Sequence, residues 1–402
     1  MQIVVFSMMY APDNFKINDI VLELVRQGHS VKIITGLPDY ATSHIPSEYR
    51  WFRKRHEKMY HYEVRRLPTI ARRHGAFFRA LNYASFVLSG SLYALFCRKK
   101  GTDAVFVYET SPVFQAIPAL IFKKLAKRPV TLYCCDVWPA CIRAWNIPET
   151  SLLYRFSLKM SRFIYRRCDT VAVTSRPFIP YLRDVCGVQE SRMTYLPQHA
   201  EDLYSDICGV YEDNGCTDFL FAGNIGAVQD VECILHATAL LSHDLPFKVH
   251  IVGGGSRLKA CKKLAKELKL EELVIFHGQH PLSRMPQYYK MADCMLLTLR
   301  GGDMIGETLP AKAQSYLSVG KPIVGAIDGA GQEMIREADC GECVVAGDAK
   351  GLAAAMQRVI EQPELYKEKG QNGRRFFEEN YTKSLFCLLY TSDAADDKAR
   401  VD

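Results

Sequence analysis

The sequence predicts an α/β protein made of two doubly wound, parallel-sheet domains, and three observations carry that expectation. The chain has 402 residues, more than the roughly 250–300 that a single hydrophobic core usually fills. Short apolar runs alternate with segments of helical period, and the whole alternation occurs twice. The charge divides as well: residues 1–200 carry a net +15 and the remainder a net −8.

Taken in order, QIVVFSM reads as a strand, INDIVLELVRQ as a helix closed by Gly28, and SVKIITG as a second strand, which together make a βαβ unit. TDAVFVYE, PVTLYCC and TVAVTS continue the strand series. Their apolar runs lack alternation, as expected of strands covered on both faces. The stretch YSDICGVYEDNGC has no period and marks the boundary between domains 1–205 and 215–382. After it come TDFLFAG, a helix around VECILHATALLS, then FKVHIVGGG, LVIFHG, CMLLTL and KPIVGAI. Two such domains facing each other are expected to form a cleft at the carboxyl ends of their strands, where ligands bind in sheets of this kind.

Composition narrows the partners. The fourteen cysteines include a single C-x-x-C, Cys340 and Cys343, with no second pair at zinc-site spacing. They are read as reduced thiols of a cytoplasmic protein. The stretch RWFRKRHEKMYHYEVRRLPTIARRHGAFFR mixes arginines with aromatics and suits an anionic membrane surface or a solvated basic face. Nucleic acid is not an expected partner. Ala80 to Cys97 runs uncharged for 18 residues, the short edge of a membrane span. Its serines and Gly90 favour a buried or interface-dipping helix over a crossing.

The stretch GETLPAKAQSYLSVGKPIV, residues 306–324, concentrates the chemistry. Pro310 suits the start of the helix AKAQSYLS, whose free amides and Lys312 would face an anion such as a diphosphate. Glu307 could accept hydrogen bonds from sugar hydroxyls, and a cap followed by an ordinary turn is the plainer reading of the same residues. Gly253, Gly254 and Gly255 lack the G-x-G-x-x-G spacing of a dinucleotide fingerprint and read as a tight turn that lets backbone approach a ligand. Gly223 and Asn224 stand where a strand end would meet that ligand. Asp136, at the end of PVTLYCC, is the candidate base or orienting group on the acceptor side, or else a strand-end cap. Glu109, at the end of AVFVYE, has a similar address. His199 reads as a structural histidine.

From residue 218 to 382, FLFAGNIGAVQD, VHIVGGGS, VIFHGQHPLSRMPQYYKMADCMLLTL, GETLPAKAQSYLSVGKPIVGAI and AGDAKGLAAAMQRVI follow one another in an order that resembles the donor domain of family 4 retaining glycosyltransferases of the GT-B fold. YAPDNFKINDI, TGLPDYAT, LNYASFVLSGS, CDVWP and LPQHAED in the first half resemble bacterial transferases of N-acetyl-aminosugars, such as the N-acetylfucosaminyl enzymes of O-antigen and capsule assembly. The resemblance implies transfer of a sugar from a nucleotide diphosphate donor of the UDP-linked class, with retained anomeric configuration, to a lipid-linked saccharide at the inner face of the cell membrane. It implies Glu307, Lys312, Leu309 and Pro310 at the donor and Asn14, Lys16, Asp39 and Glu109 on the acceptor side. Three positions depart from the wider pattern. Ser315 replaces a second glutamate and offers the ribose a weaker hydrogen bond, as Gln314 could. AGNIGAVQD holds no cation, which leaves more of the diphosphate charge to Lys312. Ala11 to Lys16 replaces a Gly-Gly loop.

The implied reaction needs stabilised charge on the leaving diphosphate and no protein nucleophile. No Asp-x-Asp occurs, so neither metal nor cofactor is expected, the nucleotide sugar being a co-substrate. A GT-B-fold epimerase or hydrolase of UDP-N-acetylaminosugars and a non-catalytic binder of anionic surfaces are the competing classes. The last stretch, SLFCLLYTSDAADDKARVD, resembles translated adapter sequence or a disordered tail. Nothing functional is expected from residue 384 onward.

Overall fold

The computed structural model describes residues 1–387 except 41–42, 52, 60, 74, 98–99, 146, 213, 243, 303 and 305. It divides into two compact units, 1–197 with the segment from 383, and 198–382. Both are doubly wound parallel-sheet units, as expected.

The first unit runs β1 (Gln2–Phe6), α1 (Lys16–Arg26), β2 (Ser30–Thr35), β3 (His56–Met59), β4 (Tyr62–Arg66), α2 (Ala76–Phe96), β5 (Ala104–Glu109), α3 (Ile117–Ala126), β6 (Val130–Cys134), α4 (Leu152–Tyr165), β7 (Thr170–Val173), α5 (Phe178–Asp184) and β8 (Met193–Tyr195). Its sheet has the order β3-β4-β2-β1-β5-β6-β7-β8, and only β3 is antiparallel to its neighbour. α1 forms because Ile17, Ile20, Val21 and Leu24 fall on one face and are buried. All six residues of β5 are buried, which is why that run shows no alternation. The strand order reverses between β1 and β5, so the loops after them, carrying Asn14 on one side and Ser111 on the other, open at the switch point.

The second unit runs β9 (Thr217–Ala222), α6 (Val231–Leu240), β10 (Phe247–Val252), α7 (Leu258–Glu267), β11 (Val274–Gly278), α8 (Met285–Met291), β12 (Cys294–Thr298), α9 (Ala311–Ser318), β13 (Ile323–Ala326), α10 (Gly329–Glu337), β14 (Gly341–Val344), α11 (Ala349–Glu361) and α12 (Pro363–Asn380). The sheet order is β11-β10-β9-β12-β13-β14, the 3-2-1-4-5-6 order of dinucleotide-binding folds, with its switch point between β9 and β12.

Three features differ from the sequence reading, and the reading of 80–97 as a helix that does not cross a membrane agrees with the structure. The basic stretch contains the β3–β4 hairpin, in which Arg66 is buried against Glu57 at 2.9 Å and stacks over Tyr49. Lys54 pairs with Glu48 at 2.6 Å on the surface, so part of that charge is already matched by neighbouring carboxylates. The unit boundary falls at 197/198, because Glu201 and Tyr204 belong to the second unit through Ser315 and Tyr289. The 80–97 segment is α2, whose Asn82, Phe86, Gly90 and Ala94 face inward. Gly90 is needed there, since a Cβ would stand 2.7 Å from Pro118 of α3. No helix among the described residues is long and apolar enough to cross a membrane. Finally, residues 383–387 are helical, and Phe386 packs edge-on against Tyr133 in the first core. The segment expected to be non-native from 384 thus contributes core residues through Cys387, and the rest of it lies outside the described residues.

Candidate active site

In the second unit the chemistry gathers at the switch point. Gly223 follows β9 with φ +150°, and Gly253 and Gly255 follow β10 with φ +146° and +153°. Their lack of a side chain is a packing requirement: a Cβ on Gly253 would stand 1.8 Å from the Gly223 carbonyl, and one on Gly255 would stand 2.3 Å from that of Ile225. The two loops are laced together by Gly223 N–H to Val252 and Ile225 N–H to Gly254. Gly254 packs beside Gln279. Asn224 stays exposed and its amide donates to Gln229 at 3.0 Å.

α9 is pinned to the same strand end. The Tyr316 hydroxyl accepts from Ala222 N–H at 2.9 Å and lies 3.2 Å from its carbonyl. Pro310 occupies the amino cap of α9, with no side-chain group to satisfy the first-turn amides. That pinning carries Lys312 inward. Its Nζ sits 3.6 Å from the Phe221 ring centre, and a methyl on Gly223 would stand 2.9 Å from it. The ammonium is buried with no hydrogen-bond partner among the described residues. Burial alone drives its pKa from 10.5 to about 7. Lys321, the other buried amine close by in sequence, instead donates to the Val210 carbonyl.

Lys312, Gly223, Asn224, Gly253 and Gly255 therefore converge. Glu307, half-buried, lies against Gly329 at the amino end of α10, where a Cβ would come within 2.3 Å of its carboxylate. Two donor expectations need correction. Ser315 is buried and its hydroxyl donates to Glu201 at 2.7 Å, so it is committed within the fold and not presented to a ribose. Leu309 is buried in the core with Tyr316, which removes its side chain from the site. Glu201 is the residue missed, and it lies 114 positions from Ser315.

In the first unit, Asp136 follows β6 and is half-buried. Its Oδ2 accepts from Ser111 N–H at 3.1 Å and Ser111 Oγ–H at 2.9 Å. The Trp138 indole donates to the same Ser111 Oγ at 3.0 Å. Burial raises the Asp136 pKa against those hydrogen bonds, a setting that makes a carboxylate a stronger base. Glu109 needs correction: it is fully buried, and burial, then the nearby Asp136, push its pKa well above the carboxylate range. Enclosed and neutral, it is a neighbour of Asp136 and not an acceptor contact. Asp39 also differs, because its carboxylate accepts from Arg72 N–H at 2.7 Å and from Asn82 Nδ2–H at 2.9 Å. It ties the 70–72 loop to α2, with a pKa raised to about 6 chiefly by burial. Asn14 is exposed, and Lys16 opens α1.

The two doubly wound units have the fold of GT-B glycosyltransferases, and the chain matches two glycosyltransferase domain families in succession. It carries a "Glycosyl transferase 4-like domain" over residues 16–199 and a "Glycosyl transferases group 1" domain over 212–376. It is 24% identical to the Escherichia coli K12 glycosyl transferase WcaI, assigned to colanic acid biosynthesis, over 80% of this chain and 82% of that one. It is 23% identical to the N-acetyl-alpha-D-glucosaminyl L-malate synthase of Bacillus anthracis over 71% and 75% of the two chains. Among solved structures, Anabaena HepE in complex with UDP superimposes with a TM-score of 0.70 at 13% identity, covering 98% of this chain and 100% of that one.

Proposed function

We propose that the protein transfers an N-acetylamino sugar, with retention, from a UDP-linked donor to a lipid-linked saccharide acceptor in bacterial surface polysaccharide synthesis, working at the inner face of the cell membrane. One observation carries the reading: Lys312 holds a buried ammonium with no counter-charge beside Gly223. A buried amine without a partner costs stability, and a diphosphate at the glycine-lined strand ends would supply the missing anion. There the ammonium and the uncapped α9 amides stabilise charge where it grows as the leaving group departs. Gly253 to Gly255 admit the nucleoside by backbone approach, and Glu307 faces the sugar hydroxyls. Asp136 orients or deprotonates the acceptor hydroxyl. Colanic acid in the name of WcaI, an N-acetylglucosaminyl group in that of the Bacillus enzyme and UDP in the HepE complex agree with this choice of pathway, sugar and nucleotide.

The test pairs calorimetry with product analysis by mass spectrometry. The unaltered protein is expected to bind UDP-N-acetylglucosamine or a related donor and to extend a polyprenyl-linked saccharide, whereas Lys312→Met loses both. Donor turnover that yields only free or epimerised sugar with every acceptor offered would favour the epimerase or hydrolase class.

A further inference from the structure

The first unit has a second concave feature that the sugar chemistry does not use. Between α2 and α4 lies a cavity of about 830 Å³, within the roughly 300–1,000 Å³ of ligand sites. Tyr83, Val87, Phe114, Trp138, Ile142 and Phe156 are among its walls. Arg79 is the one charged side chain among its described lining residues. Apolar residues crowd its approaches: Leu88 is 64% exposed, Phe77 70% and Leu152 83%, which is unusual for a surface left to water.

The framing segments are single-signed. From Ala76 to Lys100 the chain holds four Lys and Arg and no carboxylate, and from Leu152 to Arg167 five and none. Arg155, Lys159, Arg162 and Arg166 line the flank of α4 and form no ion pair among the described residues. An apolar trough with Arg79 in its wall, and further cations on the adjoining flank of α4, matches an amphiphile with a hydrocarbon chain and an anionic head.

The trough also touches the candidate acceptor site. Trp138, part of its wall, donates to Ser111, whose hydroxyl donates to Asp136. A chain lying against Trp138 would therefore have its polar end close to the carboxylate. We propose that the groove between α2 and α4 holds the hydrocarbon chain of a phosphate-bearing lipid, the acceptor carrier, with the cations of the two helices meeting its phosphate and the surrounding bilayer. The identity of that lipid as the acceptor carrier rests on the transferase reading; the groove's affinity for it does not.

The test uses Ala84→Phe, an exposed wall position of α2 where a larger ring fills the trough without disturbing the core. Geranylgeranyl phosphate, below its micelle concentration, is titrated against Trp138 fluorescence in a Trp51→Phe, Trp145→Phe background. We expect saturable binding that weakens at least tenfold in Ala84→Phe, with inorganic phosphate giving no change and geranylgeraniol binding more weakly. Calorimetry with UDP-N-acetylglucosamine is expected to be the same with and without the substitution. With a saccharide acceptor on a long isoprenoid chain, Ala84→Phe should raise KM and leave kcat; with the same saccharide on a butyl chain it should change neither. Equal lipid affinity in the two proteins, or a self-association that Ala84→Phe abolishes while lipid has no effect, overturns the proposal. Lipid binding that persists without any donor binding upholds the groove and removes the transferase reading instead.

Discussion

The two units bury charge in opposite ways. The second encloses a cation with no anion beside it, Lys312 over Phe221. The first encloses carboxyl groups with no cation beside them, Glu109 fully buried and neutral and Asp136 held only by Ser111 and its neighbours. Each arrangement costs folding free energy, since desolvation falls on the charged form and nothing nearby repays it. The consequences run opposite ways as well. Burial pulls the Lys312 pKa down to about 7 and pushes those of Asp136 and Glu109 up. The second unit is thus short of an anion, and the first is supplied with a carboxylate ready to accept a proton. A donor diphosphate and an acceptor hydroxyl fit those two needs in that order.

The largest effect that would break this contrast is at Lys312. Lys312→Met should abolish donor binding and lower turnover by about a thousandfold, the order expected when a preorganised charge contact is removed. It should also make the ligand-free protein more stable. Between about pH 7 and its ordinary 10.5, the unfolded chain binds the lysine proton more than the folded one does, so stability attributable to this group rises with pH. The gain from Lys312→Met is therefore greatest at pH 7 or below and vanishes above about pH 10.5, measurable as a melting temperature raised by about 5 °C or more at neutral pH.

Next comes Asp136→Asn, expected to reduce kcat by about a hundredfold or more while donor affinity measured by calorimetry stays unchanged. In the unaltered enzyme the acidic limb of the pH profile should lie above the range of an ordinary aspartate, because burial has raised that pKa. A limb at the ordinary position would place the base elsewhere. Gly253→Ala should weaken donor binding by about tenfold or more and lower stability, as its Cβ would meet the Gly223 carbonyl and its φ is unfavourable for alanine. The smallest effect is at Ser315. Ser315→Ala removes one hydrogen bond to Glu201 and should cost about 1 kcal/mol of stability, with donor affinity altered less than about fivefold. A larger loss of affinity would restore Ser315 to the ribose.

What the sequence disclosed and what it withheld divides along the range of the interactions. Both sheets were legible, because buried parallel strands such as β5 are written as continuous apolar runs. Gly253 and Gly255 were legible as positions with no room for a side chain, although the space is taken by the Gly223 and Ile225 carbonyls, and Lys312 was legible as a first-turn cation of α9. The β3–β4 hairpin was hidden by its charge, since an edge hairpin lies on the surface and needs no apolar run. Residues 383–387 showed no period because they supply only one helical turn. Pairings across long stretches of chain, Ser315 with Glu201 and Asp39 with Arg72 and Asn82, leave no trace in local spacing. Two site expectations failed for that reason: a polar residue in the right loop was already hydrogen-bonded to a partner brought in by the fold.

Proton uptake on donor binding tests the central claim most directly. At about pH 8, with Lys312 largely neutral in the free protein, binding of UDP-N-acetylglucosamine, whose diphosphate diester does not titrate there, should draw in close to one proton. Titrations in buffers of different ionisation enthalpy would measure it, and the affinity should fall as the pH rises above 7. Binding with no proton taken up, or the same uptake in Lys312→Met, would contradict the account.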